Sequence, residues 1–150
     1  FNTPAGAYKN PLICDEKNLL AVHELLQCAE IRKAGFLEIE NIVMPNSFVY
    51  FDPPYRPISK TASFKSYSKH NFSDTEQTQL ANLFRKLDRI GALVMLSNSD
   101  PKNHNPNDSF FDDLYSDFTI LRIPAKRMIN SNAAKRGEIN EIVVANYKIY

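Results

Sequence analysis

Apolar positions along the chain follow two spacings, and each spacing predicts an element. Leu80, Leu83, Phe84, Leu87 and Ile90 recur at a helical period and predict a helix over about 74–90. Ser73 before it and Glu76 three residues later form a capping box, and Gly91 suits its C-terminal stop. Before this helix, Ser47–Phe51 (SFVYF) is a compact aromatic and β-branched run that predicts a buried strand. After it, Ala92–Leu96 (ALVML) is apolar throughout and predicts a second strand. Strand, helix and strand in that order make a βαβ unit with parallel pairing.

The flanking pattern is less regular. Residues 1–14 read as an irregular segment, because Pro4, Gly6 and Pro11 interrupt any period. Asp15 can cap a helix over about 16–29, whose broad apolar side is Leu19, Leu20, Val22, His23, Leu25 and Leu26. On that helix His23, Leu26 and Cys28 read as packing residues. A short strand is expected at Ile31, and Phe36–Ile39 fits either a strand or a turn of helix. Pro45-Asn46 is a turn. Downstream, residues 97–107 read as a loop and 108–116 as a short helix using Phe110, Phe111 and Leu114. Strands are expected at Phe118–Ile123 and Ile139–Tyr147, separated by a basic loop over Lys126–Gly137. There is no internal repeat.

Composition narrows the class. At 150 residues, 43% hydrophobic and 23% charged, the chain is globular in composition and long enough to bury a core. Eighteen basic against seventeen acidic residues give a net charge of +1, which excludes a uniformly basic or acidic tail but not a local basic surface. No apolar run approaches the roughly 18 residues of a membrane span. Cys14 and Cys28 cannot build a disulfide scaffold, and with three scattered His they do not resemble a zinc site. The cytoplasm is the expected location. The chain begins at Phe1 rather than Met, in the turn-rich phrase FNTPAGAYKNP, and reads as a piece of a longer protein.

The connection between Phe51 and Ser73 stands out. Compact α/β units use about 2–6 residues there, and longer loops usually carry function. This one leaves the carboxyl end of a parallel strand, where open α/β sheets place their ligands. It begins Asp52-Pro53-Pro54-Tyr55. The Asp52 carboxylate accepts hydrogen bonds. Pro53 presents a carbonyl with no competing N–H, the double proline stiffens the turn, and Tyr55 offers a flat face for stacking. Two acceptors beside an aromatic plate suit an exocyclic amine on a planar heterocycle, whose lone pair is then turned toward an electrophile. Positioning supplies most of such catalysis. The same four residues could also serve only as a rigid turn.

Charge is unevenly spread. From Pro53 to Ser73 there is no acid, while Arg56, Lys60, Lys65, Lys69 and His70 alternate with Phe64, Tyr67 and Phe72. A second acid-free stretch, Phe118 to Gly137, holds Arg122, Lys126, Arg127, Lys135 and Arg136, with Asn130, Ser131 and Asn132 among them. Acids gather at Asp108, Asp112, Asp113 and Asp117. Basic loops on one edge suit a phosphate backbone, although ordinary solvated loops look the same. Ser97-Asn98-Ser99-Asp100 ends the other parallel strand, and either lines a pocket beside Asp52 or caps the next turn.

Taken together, FNTPAGAYKNP (1–11), FVYFDPPY (48–55), SFKSYSKHNFS (63–73), LVMLSNSD (93–100) and RMINSNAAKRGEINEIVVANY (127–147) resemble the Dam-like adenine-specific DNA methyltransferases. The resemblance covers nearly the whole chain. It implies an α/β, class I S-adenosylmethionine-dependent methyltransferase (Rossmann-like) fold, with a mostly parallel sheet and one antiparallel strand. Residues 1–14 would end a target-recognition segment, and 15–150 would form the C-terminal part of the catalytic domain. The implied activity is methyl transfer from S-adenosylmethionine to adenine N6 in duplex DNA, at GATC, with the base flipped from the helix. A restriction-modification system is the implied setting.

The resemblance also implies site residues. Asp52, Pro53, Pro54 and Tyr55 would be catalytic, with Asp52 at the edge of the cofactor site as well. Lys9, Ser63, Lys65, Tyr67, Lys69, Arg127, Asn130, Ser131 and Arg136 would bind DNA. The family's glycine-rich cofactor loop precedes these blocks and has no counterpart here, so the 150 residues alone are expected to be inactive. Self-association, or an N-terminal portion of the same protein, would cover the open sheet edge. Two other readings stand beside this one: a DNA-binding remnant without catalysis, and an N-methyltransferase acting on RNA or a protein amide.

Overall fold

The computed structural model describes residues 14–56, 72–126 and 138–149. The chain divides after Ala34 into two compact units. In the first, α1 spans Glu16–Leu26, and the Asp15 carboxylate accepts the Asn18 N–H at its start (3.1 Å). The helix stops three residues short of the expected end. The N–H groups of Cys28 and Ala29 turn back to the carbonyls of Leu25 and Leu26, so the last turn tightens. None of the α1 residues is buried. The strand expected at Ile31 does not form. Ile31 is exposed and flanked by Glu30, Arg32 and Lys33, which leaves one β-branched side chain with nothing to pair or pack.

The second unit opens with a 3-10 turn, Phe36–Asn41, which settles the earlier ambiguity. Glu38 reaches back to accept the Gly35 N–H (2.7 Å), while Phe36 and Ile39 pack against the core. Strand β1 (Phe48–Phe51) leads by way of residues 52–73 to α2 (Asp74–Ile90), and α2 to β2 (Leu93–Ser99). Ser73 and Glu76 form the expected capping box, with the Ser73 N–H donating to Glu76 at 2.7 Å. Gly91 closes α2 at φ 89°, a left-handed conformation in which a Cβ would be strained. A short 3-10 turn (Pro101–Asn103), α3 (Phe110–Leu114), β3 (Thr119–Lys126) and β4 (Glu138–Ala145) complete the described elements.

The strands form one mixed sheet in the order β1-β2-β4-β3. β1 pairs with β2 in parallel, as the βαβ pattern requires. β4 runs against both of its neighbours. One reversed strand was expected, but the mostly parallel pairing was not found. The reversed strand sits between β2 and β3, so two of the three described pairings are antiparallel. β1 is an edge strand among the described residues.

Alternation along the strands divides the sheet into two unlike faces. Val49, Phe51, Val94, Leu96, Ile142 and Val144 face the buried stripe of α2, made by Leu80, Ala81, Leu83, Phe84 and Leu87. Phe111 and Tyr115 join this core, with the Phe84 and Tyr115 rings 5.4 Å apart, edge to face. The other face carries Phe48, Tyr50 and Leu93, which remain 60%, 52% and 46% exposed and so are not covered by any described element. No helix among the described residues is long and apolar enough to cross a membrane.

Candidate active site at the end of the first strand

The parallel register builds the site. Phe51 lies opposite Leu96, so the next residues, Asp52 and Ser97, are neighbours on the uncovered face. Ser97 Oγ donates to Asp52 Oδ1 at 3.2 Å, and Tyr50 Oη lies 2.8 Å from Ser97 Oγ. Ser97 has one proton. If that proton goes to the carboxylate, Tyr50 must supply its own to Ser97, which makes a short hydroxyl chain ending at Asp52. Among the described residues, Ser97 is the only hydrogen-bond partner of the Asp52 carboxylate, and Asp52 itself is exposed.

Tyr55 stands on the same side. Its hydroxyl donates to Glu141 Oε2 at 3.3 Å, and its ring is 38% exposed rather than part of the core. Partial burial raises the pKa of its phenol. The Glu141 and Asp52 carboxylates add to the rise, and the Ser97 hydroxyl opposes it. Tyr55 therefore stays a neutral hydroxyl donor at neutral pH.

The other side of the turn is tied into the core by its backbone. Asn98, fully buried, accepts the Arg56 N–H on Oδ1 (2.9 Å) and donates to Gln77 Oε1 (3.2 Å). Gln77, equally buried in α2, donates from Nε2 to the Pro54 carbonyl (3.2 Å). Ser99 Oγ donates to the Arg56 carbonyl at 2.7 Å. The Arg56 guanidinium makes paired hydrogen bonds to Asp74 (2.8 and 3.0 Å), reaches Asp108 at 3.0 Å and lies 4.3 Å from the centre of the Phe110 ring. Asp74 and Asp108 hold Arg56 more firmly charged than usual against the opposing effect of burial.

These contacts revise part of the sequence reading. Arg56 and Arg122 were counted among basic residues suited to phosphate. Arg56 instead ties the turn to α2 and Asp108, and Arg122 pairs with buried Asp100 (3.0 Å) and, through both carboxylate oxygens, with Asp112 (2.8 Å each). The acids at 108, 112 and 117 are thus engaged by Arg56, Arg122 with Lys102, and Arg85. The Ser97–Asp100 segment fills both of its weighed roles. Ser97 lines the site beside Asp52, while Asp100 caps the following 3-10 turn through the Lys102 N–H. The proposed DNA contacts Lys9, Ser63, Lys65, Tyr67, Lys69, Arg127, Asn130, Ser131 and Arg136 lie outside the described residues.

Sequence reasoning missed Gln77, Tyr50 and Glu141, and it named Asn98 only within the Ser97–Asp100 segment, without its partners Arg56 and Gln77. For Gln77 a signal was present: it falls one turn before Leu80 and Ala81, on the stripe that the helical period assigns to the core. A polar residue there must find a buried partner.

The chain matches the D12 class N6 adenine-specific DNA methyltransferase family over residues 1–129. It is 48% identical over 148 residues to the type II methyltransferase M.MjaIII of Methanocaldococcus jannaschii, covering 98% of this chain and 49% of that protein. It is 39% identical over 149 residues to the type II methyltransferase M1.LlaDCHI of Lactococcus lactis subsp. cremoris, covering 98% and 50%. To a DNA adenine methylase of Vibrio cholerae it is 32% identical over 144 residues, covering 95% and 49%. The chain spans about half the length of these relatives. With that match running through the Asp52–Tyr55 turn, the chain belongs to the D12 class N6 adenine-specific DNA methyltransferases.

Proposed function

We propose that the full-length protein transfers a methyl group from S-adenosylmethionine to N6 of adenine in duplex DNA, with the base flipped out and GATC as the target. The observation that carries this reading is the turn after β1. It presents an exposed carboxylate and an exposed tyrosine on either side of two prolines, at the carboxyl end of a parallel pair. The mixed sheet, with one reversed strand among the described residues, supports a class I, Rossmann-like arrangement.

In this reading Asp52 and the Pro53 carbonyl each accept one N–H of the adenine amine, and Tyr55 stacks on the flipped base. The amine's lone pair then points away from both acceptors. Ser97, held by Tyr50, fixes one oxygen of Asp52 and leaves the other to the amine. The donor set also fits the cofactor's edge, since an exposed carboxylate suits a cationic sulfonium. When bound, S-adenosylmethionine supplies an electrophilic methyl group. The chain's own residues orient the nucleophile, and that alignment supplies most of the acceleration.

A panel of acceptors tests the reading. Full-length protein is incubated with methyl-labelled S-adenosylmethionine and, separately, duplex DNA with and without GATC, RNA of the same sequence, and a protein substrate. The proposal expects N6-methyladenine in the GATC duplex. Label on RNA or a protein amide, or DNA binding without any transfer, overturns it.

A further inference from the structure

We propose that Asn98 and Gln77 are positioning residues that set the Asp52–Tyr55 turn from beneath, a role that rests on the methyl-transfer reading above. Both side chains are fully buried in a core that is otherwise mostly apolar. A buried amide costs free energy unless its polar atoms are partnered, and an apolar side chain of similar volume would pack in either place. Their hydrogen bonds show what they hold instead.

The two amides form a chain from β2 through α2 to the turn. Asn98 Oδ1 accepts both the Arg56 and the Ser99 backbone N–H, each at 2.9 Å. Its Nδ2 passes to Gln77 Oε1, and Gln77 Nε2 donates to the Pro54 carbonyl. The Ser99 hydroxyl closes the grip on the Arg56 carbonyl. Pro54 and Arg56 bracket Tyr55, and Pro54 follows the acceptor carbonyl of Pro53 directly. Pro53 and Pro54 have no N–H of their own, so the turn cannot be held by ordinary strand pairing. Its two peptide groups nearest Tyr55 are fixed by side chains from different elements.

The grip acts on geometry and leaves the reacting surface untouched. Asn98 and Gln77 lie on the α2 side of the sheet, while Asp52, Ser97 and Tyr50 lie on the other. Displacing a reacting group by about 1 Å costs on the order of a hundredfold in rate. Release of the turn therefore lowers kcat and leaves binding of DNA and cofactor near normal.

The test uses full-length protein with Asn98→Leu, Gln77→Met and, as a control that only opens a cavity at the far end of α2, Leu87→Ala. Each is assayed at a temperature where it is folded, and amide hydrogen exchange is followed at Arg56. The proposal expects kcat to fall about 10- to 100-fold in the two amide variants. KM for DNA and cofactor should stay within about threefold, with faster exchange at Arg56 in both. Leu87→Ala should lose stability but keep kcat and Arg56 protection. Gln77→Met keeps the question open to decision if Asn98→Leu does not fold. Wild-type kcat in the folded amide variants, or Arg56 protection unchanged by them, overturns the proposal. A wild-type protein that transfers no methyl group overturns the functional reading and the catalytic part of this one. Exchange at Arg56 then still reports whether the grip exists.

Discussion

The two sides of the turn after β1 are built on opposite principles. Beneath it, Gln77, Asn98 and the Arg56 ion pairs hold peptide groups and charges in fixed partnerships, over a core sealed by α2. Above it, Asp52 and Tyr55 are exposed and lightly tied, Asp52 by the Ser97 hydroxyl and Tyr55 by its own hydroxyl to Glu141 on β4. The comparison teaches how a short turn can be held firmly from one side and left open on the other. Rigidity is supplied through the backbone from one side, which frees the side chains on the other for a ligand. A change below should therefore cost stability or alignment, and a change above should cost activity alone.

The largest expected loss of stability is in the apolar core between α2 and the sheet. Phe84 is fully buried against Tyr115 and Phe118, whose ring centres are 5.4 and 4.7 Å away. Phe84→Ala should destabilise by about 3–5 kcal/mol, read as a lower denaturation midpoint. A loss under 1 kcal/mol would mean that the core is not closed there. On the upper side, Tyr55→Ala should weaken transition-state binding by about 1–3 kcal/mol, the usual worth of an aromatic stacked on a base. Its denaturation midpoint should barely move, because the ring is 38% exposed. Equal losses of stability and rate in this variant would erase the distinction between the two sides.

A smaller effect concerns acid. Asp108 and Asp112 sit below their ordinary value of 3.8. Burial pushes both upward, but hydrogen bonds from the Phe110 N–H and Arg56 to Asp108, and from Arg122 and Lys102 to Asp112, outweigh it. A depressed carboxylate contributes stability that is complete above its unfolded value and is lost as pH falls through its folded one. Unfolding midpoints should therefore fall as pH drops below about 3.8, and less steeply in Asp108→Asn. An identical slope in that variant would show that the Arg56–Asp108 pair contributes nothing.

Much of the fold was legible because local rules and packing agree in the second unit. The period of Leu80, Phe84 and Leu87, the Ser73–Glu76 box and Gly91 all describe α2, and the apolar runs on either side describe β1 and β2. At Ile31 one β-branched residue among charges gave no pattern to pair. α1 shows a different limit, since its apolar side predicts a helix but buries nothing. The motif itself, Asp52 to Tyr55, could be read directly. Its support could not, because Asn98 and Gln77 are 21 residues apart and meet only once α2 packs on the sheet. Likewise the sign of Arg56 and Arg122 was legible, but their acidic partners depend on tertiary placement.

The central claim is that the Asp52 carboxylate holds the amine that receives the methyl group. Single-turnover transfer of labelled methyl to a GATC duplex, by full-length protein and its Asp52→Ala variant at saturating DNA and cofactor, tests it most directly. The account predicts loss of transfer in the variant with duplex binding retained. Transfer at the wild-type rate without that carboxylate would contradict it.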